Sequence, residues 1–141
     1  MKKYIILGLV VIMAVTAIGY LYLNSKSAAN TVSANNKTFE KLLNKTITGT
    51  EFATYMNQIL DKNSKNSVEK DSNGYYINNN ENSIIAEIKF KDSDNIFRIE
   101  QISNNGIGKF INLYAKLNFK CTKVEYHEKT KLISYLYFEE V

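Results

Sequence analysis

The longest apolar pattern in the chain runs from Tyr4 to Leu23, without a charged residue and without Asn, Gln or Pro. A helix of about 20 apolar residues matches the hydrocarbon core of a bilayer. A cleaved secretory signal has a shorter apolar region of about 7–15 residues, although Lys2 and Lys3 supply its basic start and Ser27-Ala28-Ala29 a candidate cleavage site. We therefore favour an uncleaved signal anchor, in which residues 1–23 form a cytoplasmic start and a transmembrane helix.

Positive charge flanks this run unequally. Lys2 and Lys3 lie directly before it, and the nearest lysine after it is Lys26. The more basic flank of a span stays in the cytoplasm. We expect a single-pass protein of the cell membrane, in contact with membrane lipid through residues 4–23. Its N-terminus is cytoplasmic and its C-terminal domain is extracytoplasmic.

Residues 24–46 are mostly small and polar, which predicts a flexible linker. Within it, Thr38 to Lys45 has the apolar spacing of two helical turns. A firmer amphipathic helix is predicted from Thr50 to Asp61, and Thr48 and Glu51 fit a capping box at its start. The apolar face of that helix comprises Phe52, Ala53, Met56, Ile59 and Leu60.

Two alternating segments follow, from Ile84 to Phe90 and from Ile96 to Ile102. Joined by five polar residues, they predict a β-hairpin. A second helix is predicted from Gly106 to Asn118, capped by Asn104 and Asn105. Its apolar stripe comprises Ile107, Phe110, Ile111, Tyr114 and Leu117.

The segments Phe119 to His127 and Lys131 to Glu139 predict a second hairpin. Its last strand is apolar on both sides, so we expect it in the centre of the sheet or covered on both faces. The order helix, hairpin, helix, hairpin predicts an α+β fold for residues 47–141. This would be a small two-layer domain with a four-stranded antiparallel sheet and two helices, in the order α-β-β-α-β-β.

Charge is distributed unevenly along the chain, whose formal net charge is +4. Residues 1–46 carry six lysines and one glutamate, a net charge of +5, whereas residues 47–141 carry twelve basic and thirteen acidic residues, a net charge of −1. Nucleic-acid binding needs a basic face, so we expect no nucleic-acid partner. The lysines near the apolar run instead suit anionic lipid.

The loop from Glu69 to Asn80 is the best sequence candidate for a metal site. Positions 1, 3, 5 and 6 of a calcium-loop pattern are filled by Glu69, Asp71, Asn73 and Gly74. An EF-hand also needs a glutamate at position 12, where Asn80 stands, and Glu81 comes one residue late. An ordinary solvated turn is the favoured interpretation, and no metal or cofactor is predicted.

Cys121 and His127 suggest a nucleophile–base pair. On one strand, six residues apart, they would be separated by about 20 Å at ~3.3 Å per residue, which is too far for a dyad. The glutamates could pair only through tertiary contacts that their spacing does not define: Glu100, Glu125, Glu139 and Glu140. We therefore predict no catalytic residue and do not expect an enzyme.

Ten tyrosines are many for a chain of 141 residues. Because tyrosine combines contact area with a polar tip, five of them could line a binding face for a glycan or a peptide: Tyr75, Tyr76, Tyr126, Tyr135 and Tyr137. The alternative, which we favour, is that they occupy half-buried strand positions.

The stretches ITGTEFATYMNQILDKN (Ile47 to Asn63) and FKCTKVEYHEKTKLISYLYFEE (Phe119 to Glu140) resemble small single-pass membrane proteins of clostridia. A lysine-rich chain without Pro or Trp fits low-GC Gram-positive bacteria. This resemblance implies no catalytic residues. The architecture is also similar to that of type IV pilins and pseudopilins, but Met13 stands at the fifth position after Gly8, where that family has glutamate.

These patterns predict a membrane-anchored extracytoplasmic domain that serves as a binding or interaction module. Another envelope protein is a candidate partner. The alternative is a pseudopilin-like structural subunit of a secretion or pilus system.

Overall fold

The computed structural model describes residues 2–141 of the chain, apart from the side chains of Lys2, Lys3 and Leu7. The chain divides between Asn35 and Asn36 into two compact units. The elements in chain order are α1 (Lys2–Glu40), β1 (Thr46–Thr48), α2 (Gly49–Lys65), β2 (Ile85–Lys89), β3 (Ile96–Arg98), α3 (Ile99–Asn104), α4 (Ile107–Tyr114), β4 (Asn118–Tyr126) and β5 (Ile133–Glu140).

Helix α1 contains the apolar run. It is the one helix in the described part of the chain that is long and apolar enough to cross a membrane. Its described large apolar side chains between Tyr4 and Leu23 are exposed. A helix that is apolar on all sides needs an apolar surrounding. The predicted apolar helix is therefore present.

Residues 24–40, expected to be a flexible linker, continue α1 as a helix. The stretch contains no Gly or Pro, and lengthening an existing helix avoids the cost of nucleation. Asn36, Phe39 and Leu42 are buried within the second unit. The folded domain consequently begins at Asn36, well before the expected boundary at Ile47.

Helix α2 confirms the predicted capping box. Thr48 Oγ1 accepts a hydrogen bond from the Glu51 N–H (3.3 Å), and Glu51 Oε2 accepts one from the Thr48 N–H (2.8 Å). The helix continues past the predicted end at Asp61 to Lys65, and the side chain of Asn63 in this last part is buried. This side chain donates to the Ile84 carbonyl (2.7 Å) and accepts from the Ile84 N–H (2.8 Å), which fixes the chain just before β2.

The sheet has five strands in the order β1-β4-β5-β2-β3, so the predicted four-stranded antiparallel sheet is wrong in two respects. Residues 46–48 add β1 beside β4, and β2 pairs with β5 in parallel. Parallel pairing is available to β2 and β5 because two helices and two strands separate them in sequence. The predicted antiparallel hairpin of β4 and β5 and the central place of β5 are confirmed.

Residues 96–102 do not form the single strand that their alternation predicts. Strand β3 ends at Arg98, whose N–H donates to Gln101 Oε1 (2.8 Å), and α3 begins at Ile99. Ile99 and Ile102 are three residues apart, so the same letters fit one helical turn. A short apolar run cannot distinguish these two structures.

The second predicted helix is shorter than expected. Helix α4 covers Ile107–Tyr114, and Asn118 already belongs to β4. The residue before the helix is Gly106, with φ of +100°, rather than a capping Asn104 or Asn105. A positive φ is readily adopted only by glycine, which lets the chain reverse between α3 and α4.

Helices α2 and α4 pack together on one face of the sheet. The ring of Phe52 on α2 lies 5.6 Å from Phe110 on α4, 5.4 Å from Phe119 and 5.0 Å from Phe138. Gly49, the first residue of α2, donates its N–H to the Leu117 carbonyl (2.8 Å). The start of α2 therefore abuts the end of α4.

Tyr76→Ala is expected to cost about 3 kcal/mol of unfolding free energy, because the ring is buried rather than at a half-buried strand position. Tyr76 is buried, and its N–H donates to Glu100 Oε1 (3.1 Å). The neighbouring Ile77 is exposed, so Ile77→Ala should cost less than about 0.5 kcal/mol. Denaturant unfolding of the full chain in micelles measures both; equal losses would show that Tyr76 is not part of the core.

Candidate functional site

A cavity of about 490 Å³ opens beside α4. It is bounded by α4, by the segment that joins β2 to β3 and by the end of β5. Small-molecule sites are typically about 300–1,000 Å³ in volume and mostly apolar, with a few polar groups. We call this space the α4 cavity. Four aromatic residues line it: Phe90, Phe97, Phe110 and Tyr114.

The aromatic wall of the α4 cavity follows from sheet register and helix period. Phe97 pairs with Ile88, and Phe90 lies two residues beyond Ile88, so both face the helices. Phe110 and Tyr114 are one turn apart on α4. The Phe90 ring centroid lies 5.6 Å from that of Phe97 and 4.9 Å from that of Tyr114. Two elements distant in sequence thus form one continuous apolar surface.

Aliphatic side chains complete the wall: Ile102, Leu113 and Leu117. Leu113 is 71% exposed, although it lies on the same short helix as the buried Phe110. A single exposed leucine is ordinary, but one at the edge of an aromatic cavity enlarges the apolar surface that solvent reaches. The site therefore offers apolar contact both inside and at its mouth.

Charged groups stand at the mouth of the α4 cavity. Asp92 and Lys109 are exposed, and Glu140 is half-buried. Glu140 Oε2 accepts a hydrogen bond from the Lys91 N–H (3.1 Å). The cavity thus combines an apolar interior with polar groups at its opening, as small-molecule sites commonly do.

The helix side of the cavity belongs to a basic part of the chain. Residues 101–124 contain no Asp or Glu and four lysines: Lys109, Lys116, Lys120 and Lys123. The near-neutral total for residues 47–141 hides this local excess. Of these four lysines, Lys109 lines the α4 cavity, together with the carboxylates of Asp92 and Glu140.

The loop considered for calcium is a turn held by its own hydrogen bonds. Asp71 Oδ1 accepts from the N–H groups of Asn73 and Tyr75, each at 2.9 Å, and Gly74 has φ of +80°. The hydrogen bond from the Tyr75 N–H lowers the pKa of Asp71. Among the described residues, no three His, Cys, Asp or Glu side chains converge as a metal site requires. The Asp71 carboxylate thus accepts hydrogen bonds from the backbone of its own loop.

Cys121 and His127 have separate partners. His127 Nε2 lies 2.8 Å from the Ser83 carbonyl oxygen and therefore carries a proton there. Cys121 is buried, and this burial raises the pKa of its thiol to about 11. Nucleophilic attack requires the thiolate, so Cys121 is unreactive near neutral pH and packs as a small apolar residue.

The five singled-out tyrosines do not form one face. Tyr135 and Tyr137 share the side of β5 opposite the core, and the Tyr135 hydroxyl donates to Glu87 Oε2 (2.6 Å). Burial and this hydrogen bond raise the pKa of Tyr135. Tyr75 lies against the Arg98 guanidinium, whereas Tyr76 is in the interior. Tyr126 is exposed at the end of β4. Of the five tyrosines that could have lined one binding face, Tyr135 and Tyr137 therefore share a face.

A buried ion pair is the polar cluster that sequence reasoning missed. Glu100 is 2% exposed, and its carboxylate accepts from Arg98 Nη2 (2.9 Å) and Nε (3.3 Å). Arg98 Nη2 also donates to the Tyr76 carbonyl (2.9 Å). These bonds attach the loop before β2 to α3. The prediction of a single strand over residues 96–102 gave no indication of this pairing.

Comparisons of the chain with protein-family models, curated proteins and solved structures found no match.

Proposed function

We propose that this chain is a membrane-anchored binding module that takes up an apolar group in the α4 cavity. The observation that carries the proposal is the cavity itself, with a volume of about 490 Å³, four aromatic lining residues and charged groups at its mouth. Cavities of this size and chemistry are the usual binding sites of proteins. A partner protein of the envelope would have to insert an apolar side chain.

The apolar helix α1 supports the membrane part of the proposal. We take residues 4–23 as its bilayer segment, with the N-terminus in the cytoplasm and the domain from Asn36 outside. Lys2 and Lys3 directly before this segment outnumber Lys26 after it, and the more basic flank stays in the cytoplasm. A small single-pass protein of this kind is also what the resemblance to clostridial membrane proteins implies.

Tryptophan fluorescence tests binding in the cavity, because the chain contains no Trp. Leu113→Trp places one fluorophore at the cavity mouth, and Ile77→Trp places one at an exposed loop position that does not line the cavity. In the full chain in lipid nanodiscs, bromobenzene should quench Leu113→Trp along a saturating curve. Its quenching of Ile77→Trp should rise linearly, as expected for random collisions.

Linear quenching of both variants, with equal slopes, would contradict binding in the α4 cavity. A second variant tests whether the saturating quenching comes from the cavity and not from another site near the fluorophore. Ile102→Phe in the Leu113→Trp background adds a ring to the wall and should reduce the saturating component. The thermal midpoint of each variant, measured in the same nanodiscs, shows whether the domain remains folded.

Labelling of an engineered cysteine tests the orientation. Ser33→Cys lies on an exposed position of α1, and the native Cys121 is buried with a raised pKa, so background labelling is low. A membrane-impermeant maleimide should label Ser33→Cys in intact cells. Labelling that appears only after lysis would place the domain in the cytoplasm.

A pseudopilin-like subunit is the second candidate, favoured by one observation. Helix α1 runs without interruption from Lys2 to Glu40, and Asn36 and Phe39 near its end are buried in the domain. Pilin-type subunits likewise join an apolar helix to a domain with a sheet, although their sheet is antiparallel and this one contains the parallel pair of β2 and β5. Genes for a secretion or pilus ATPase beside the gene for this chain would favour that candidate over the binding module.

A further inference from the structure

We propose that the α4 cavity binds a small organic cation, with the apolar body of the ligand against the aromatic wall and its ammonium group at the carboxylates of Asp92 and Glu140. This inference rests on the proposed binding function and names the class of its ligand. The ligand combines one apolar body with one positive charge at neutral pH.

Acidic groups outnumber basic groups in the lining of the cavity. Its charged residues are Asp92, Glu140 and Lys109, so two carboxylates and one ammonium group leave a formal charge of −1. In the described part of the chain none of the three takes part in a salt bridge. Lys109 therefore neutralises neither carboxylate by direct contact, and both are available to an external cation.

The two carboxylates lie on the same side of the mouth. Glu140 alternates with the buried Phe138 along β5 and so belongs to the face of the sheet that the helices cover. Its Oε2 accepts a hydrogen bond from the N–H of Lys91, the residue directly before Asp92 (3.1 Å). Lys109 belongs to α4, a different wall of the cavity. Negative charge is therefore concentrated where β5 ends and the β2–β3 segment begins.

The aromatic wall has the same charge preference as the carboxylates. The face of an aromatic ring is the negative part of its quadrupole, so it attracts a cation that lies within about 6 Å of the ring centroid. Phe90, Phe97 and Tyr114 line the cavity and are half-buried, so part of each ring remains accessible. An anion would be repelled by these ring faces. Rings and carboxylates thus favour a cation independently of each other.

Most of the positive charge in the acid-free segment lies outside the cavity. Of its four lysines, Lys109 alone lines the α4 cavity. Lys123 forms a salt bridge with Glu125, and Lys120 lies opposite Glu139 in the β4–β5 register. An ammonium group donates hydrogen bonds and accepts none, whereas a carboxylate only accepts them. The acceptors at the mouth therefore match an ammonium ligand.

Three para-substituted bromobenzenes test the proposal. Para-bromobenzylammonium, para-bromobenzyl alcohol and para-bromophenylacetate share the same ring and differ in the charge of the attached group. Each is titrated at neutral pH into the full chain carrying Leu113→Trp, in nanodiscs of zwitterionic lipid, with Ile77→Trp as the reference for random collisions. We expect saturating quenching of Leu113→Trp with the affinity order ammonium, alcohol, carboxylate.

Charge variants in the same Leu113→Trp background identify the groups responsible, and any contribution of the indole ring to cation binding cancels between them. Asp92→Asn with Glu140→Gln should weaken binding of the ammonium compound about tenfold relative to the alcohol. Glutamine keeps an oxygen that can accept the Lys91 N–H, so the fold is retained. Lys109→Gln should act in the opposite direction and strengthen ammonium binding about threefold.

The matched control is Glu69→Gln with Glu128→Gln, which removes two carboxylates from exposed positions that do not line the cavity. It should change the ammonium affinity by less than about twofold, because distant exposed charges are screened. An equal loss of ammonium affinity in both double variants would overturn the role of Asp92 and Glu140.

A lysine side chain of a partner protein carries the same ammonium group, so a capped lysine, acetyl-lysine methylamide, is tested as a competitor. It should displace para-bromobenzylammonium less effectively than unbrominated benzylammonium does, since its thin stem covers less of the aromatic wall. Equal displacement by both compounds would overturn a small molecule as the occupant and favour a lysine of a partner.

The remaining outcomes separate the inference from the function on which it rests. Equal affinity for the three charged and neutral compounds, or preference for the carboxylate, would overturn the cationic ligand and leave the binding function intact. Saturating quenching by bromobenzene alone would do the same. The absence of saturating quenching by any of the four bromo compounds would overturn both proposals.

Discussion

A chain that begins at Ile47 should be unfolded, whereas a chain that begins at Asn36 should unfold in one cooperative transition. The residues that differ include Phe39, which is 2% exposed, and Leu42, which is fully buried. Truncating a buried Leu or Phe to Ala costs about 2–5 kcal/mol. Losing both side chains would therefore remove most of the 5–15 kcal/mol that stabilises a typical small domain.

Asn36 adds to this difference. Its side chain donates to the Lys131 carbonyl (2.8 Å) and accepts from the Ile133 N–H (3.0 Å), which anchors the start of β5. Without Asn36 these backbone groups lose their partner, at a cost of about 1–3 kcal/mol. A chain that begins at Lys41 retains Leu42 and should have intermediate stability. Thermal melts followed by circular dichroism rank the three chains, and equal midpoints would show that the domain begins at Ile47.

Gly49→Ala should destabilise the domain by about 3 kcal/mol or more, which is a large effect for one methyl group. A Cβ at this position would lie 1.9 Å from the Tyr114 carbonyl oxygen and 2.7 Å from its carbonyl carbon. Both atoms belong to the backbone, so no side-chain rotation relieves the overlap. Helix α4 would have to move away from α2, and Tyr114 would move with it.

Gly108→Ala is the matched control, because it adds the same methyl group in the first turn of α4. A Cβ there meets nothing within 4 Å. Replacing a helical glycine by alanine should therefore stabilise the domain by up to about 1 kcal/mol. Denaturant midpoints of the two variants in the full chain provide the measurement. Equal stability of both would mean that α2 and α4 do not approach as closely as described.

Gly49→Ala also links the fold to the site. Tyr114 lines the α4 cavity, so a displaced α4 should lose the saturating component of bromobenzene quenching in the Leu113→Trp background. Gly108→Ala should retain it. A variant that loses stability but keeps its affinity would show that the cavity forms independently of the contact between α2 and α4.

Local patterns in the sequence were enough for the elements whose bonds are local. Thr48 and Glu51 lie three residues apart and form the predicted capping box. The β4–β5 hairpin closes through a short turn and also follows prediction. Contacts distant in sequence were not recoverable: the parallel pairing of Ile85 with Tyr135 joins segments fifty residues apart, and no local pattern encodes it.

The Asn-rich and Ser-rich stretch after the apolar run shows the limit of propensity. Such residues favour turns because their side chains compete for backbone groups. In α1 they occur behind an established helix, where Thr31 Oγ1 donates to the Ser27 carbonyl (2.9 Å) without ending it. The turn propensity of a single Asn or Ser is weaker here than the gain from extending a helix that has already formed.

The α4 cavity could be anticipated only in part. The stripe with Phe110 and Tyr114 was recognisable from helical period, but Phe90, Phe97 and Glu140 join it only through the fold. The acid-free segment 101–124 is visible in the sequence and would have directed attention to α4. The net charge of residues 47–141 concealed it, because the thirteen acidic residues of that region all lie outside residues 101–124.

The most direct measurement is an anomalous diffraction map of the chain crystallised with bromobenzene. We expect the bromine peak inside the α4 cavity, within about 4 Å of the Phe90, Phe97 or Phe110 ring. A cavity that stays empty at a saturating concentration, with bromine only along α1 or on other surfaces, would contradict the α4 cavity as the binding site of this protein.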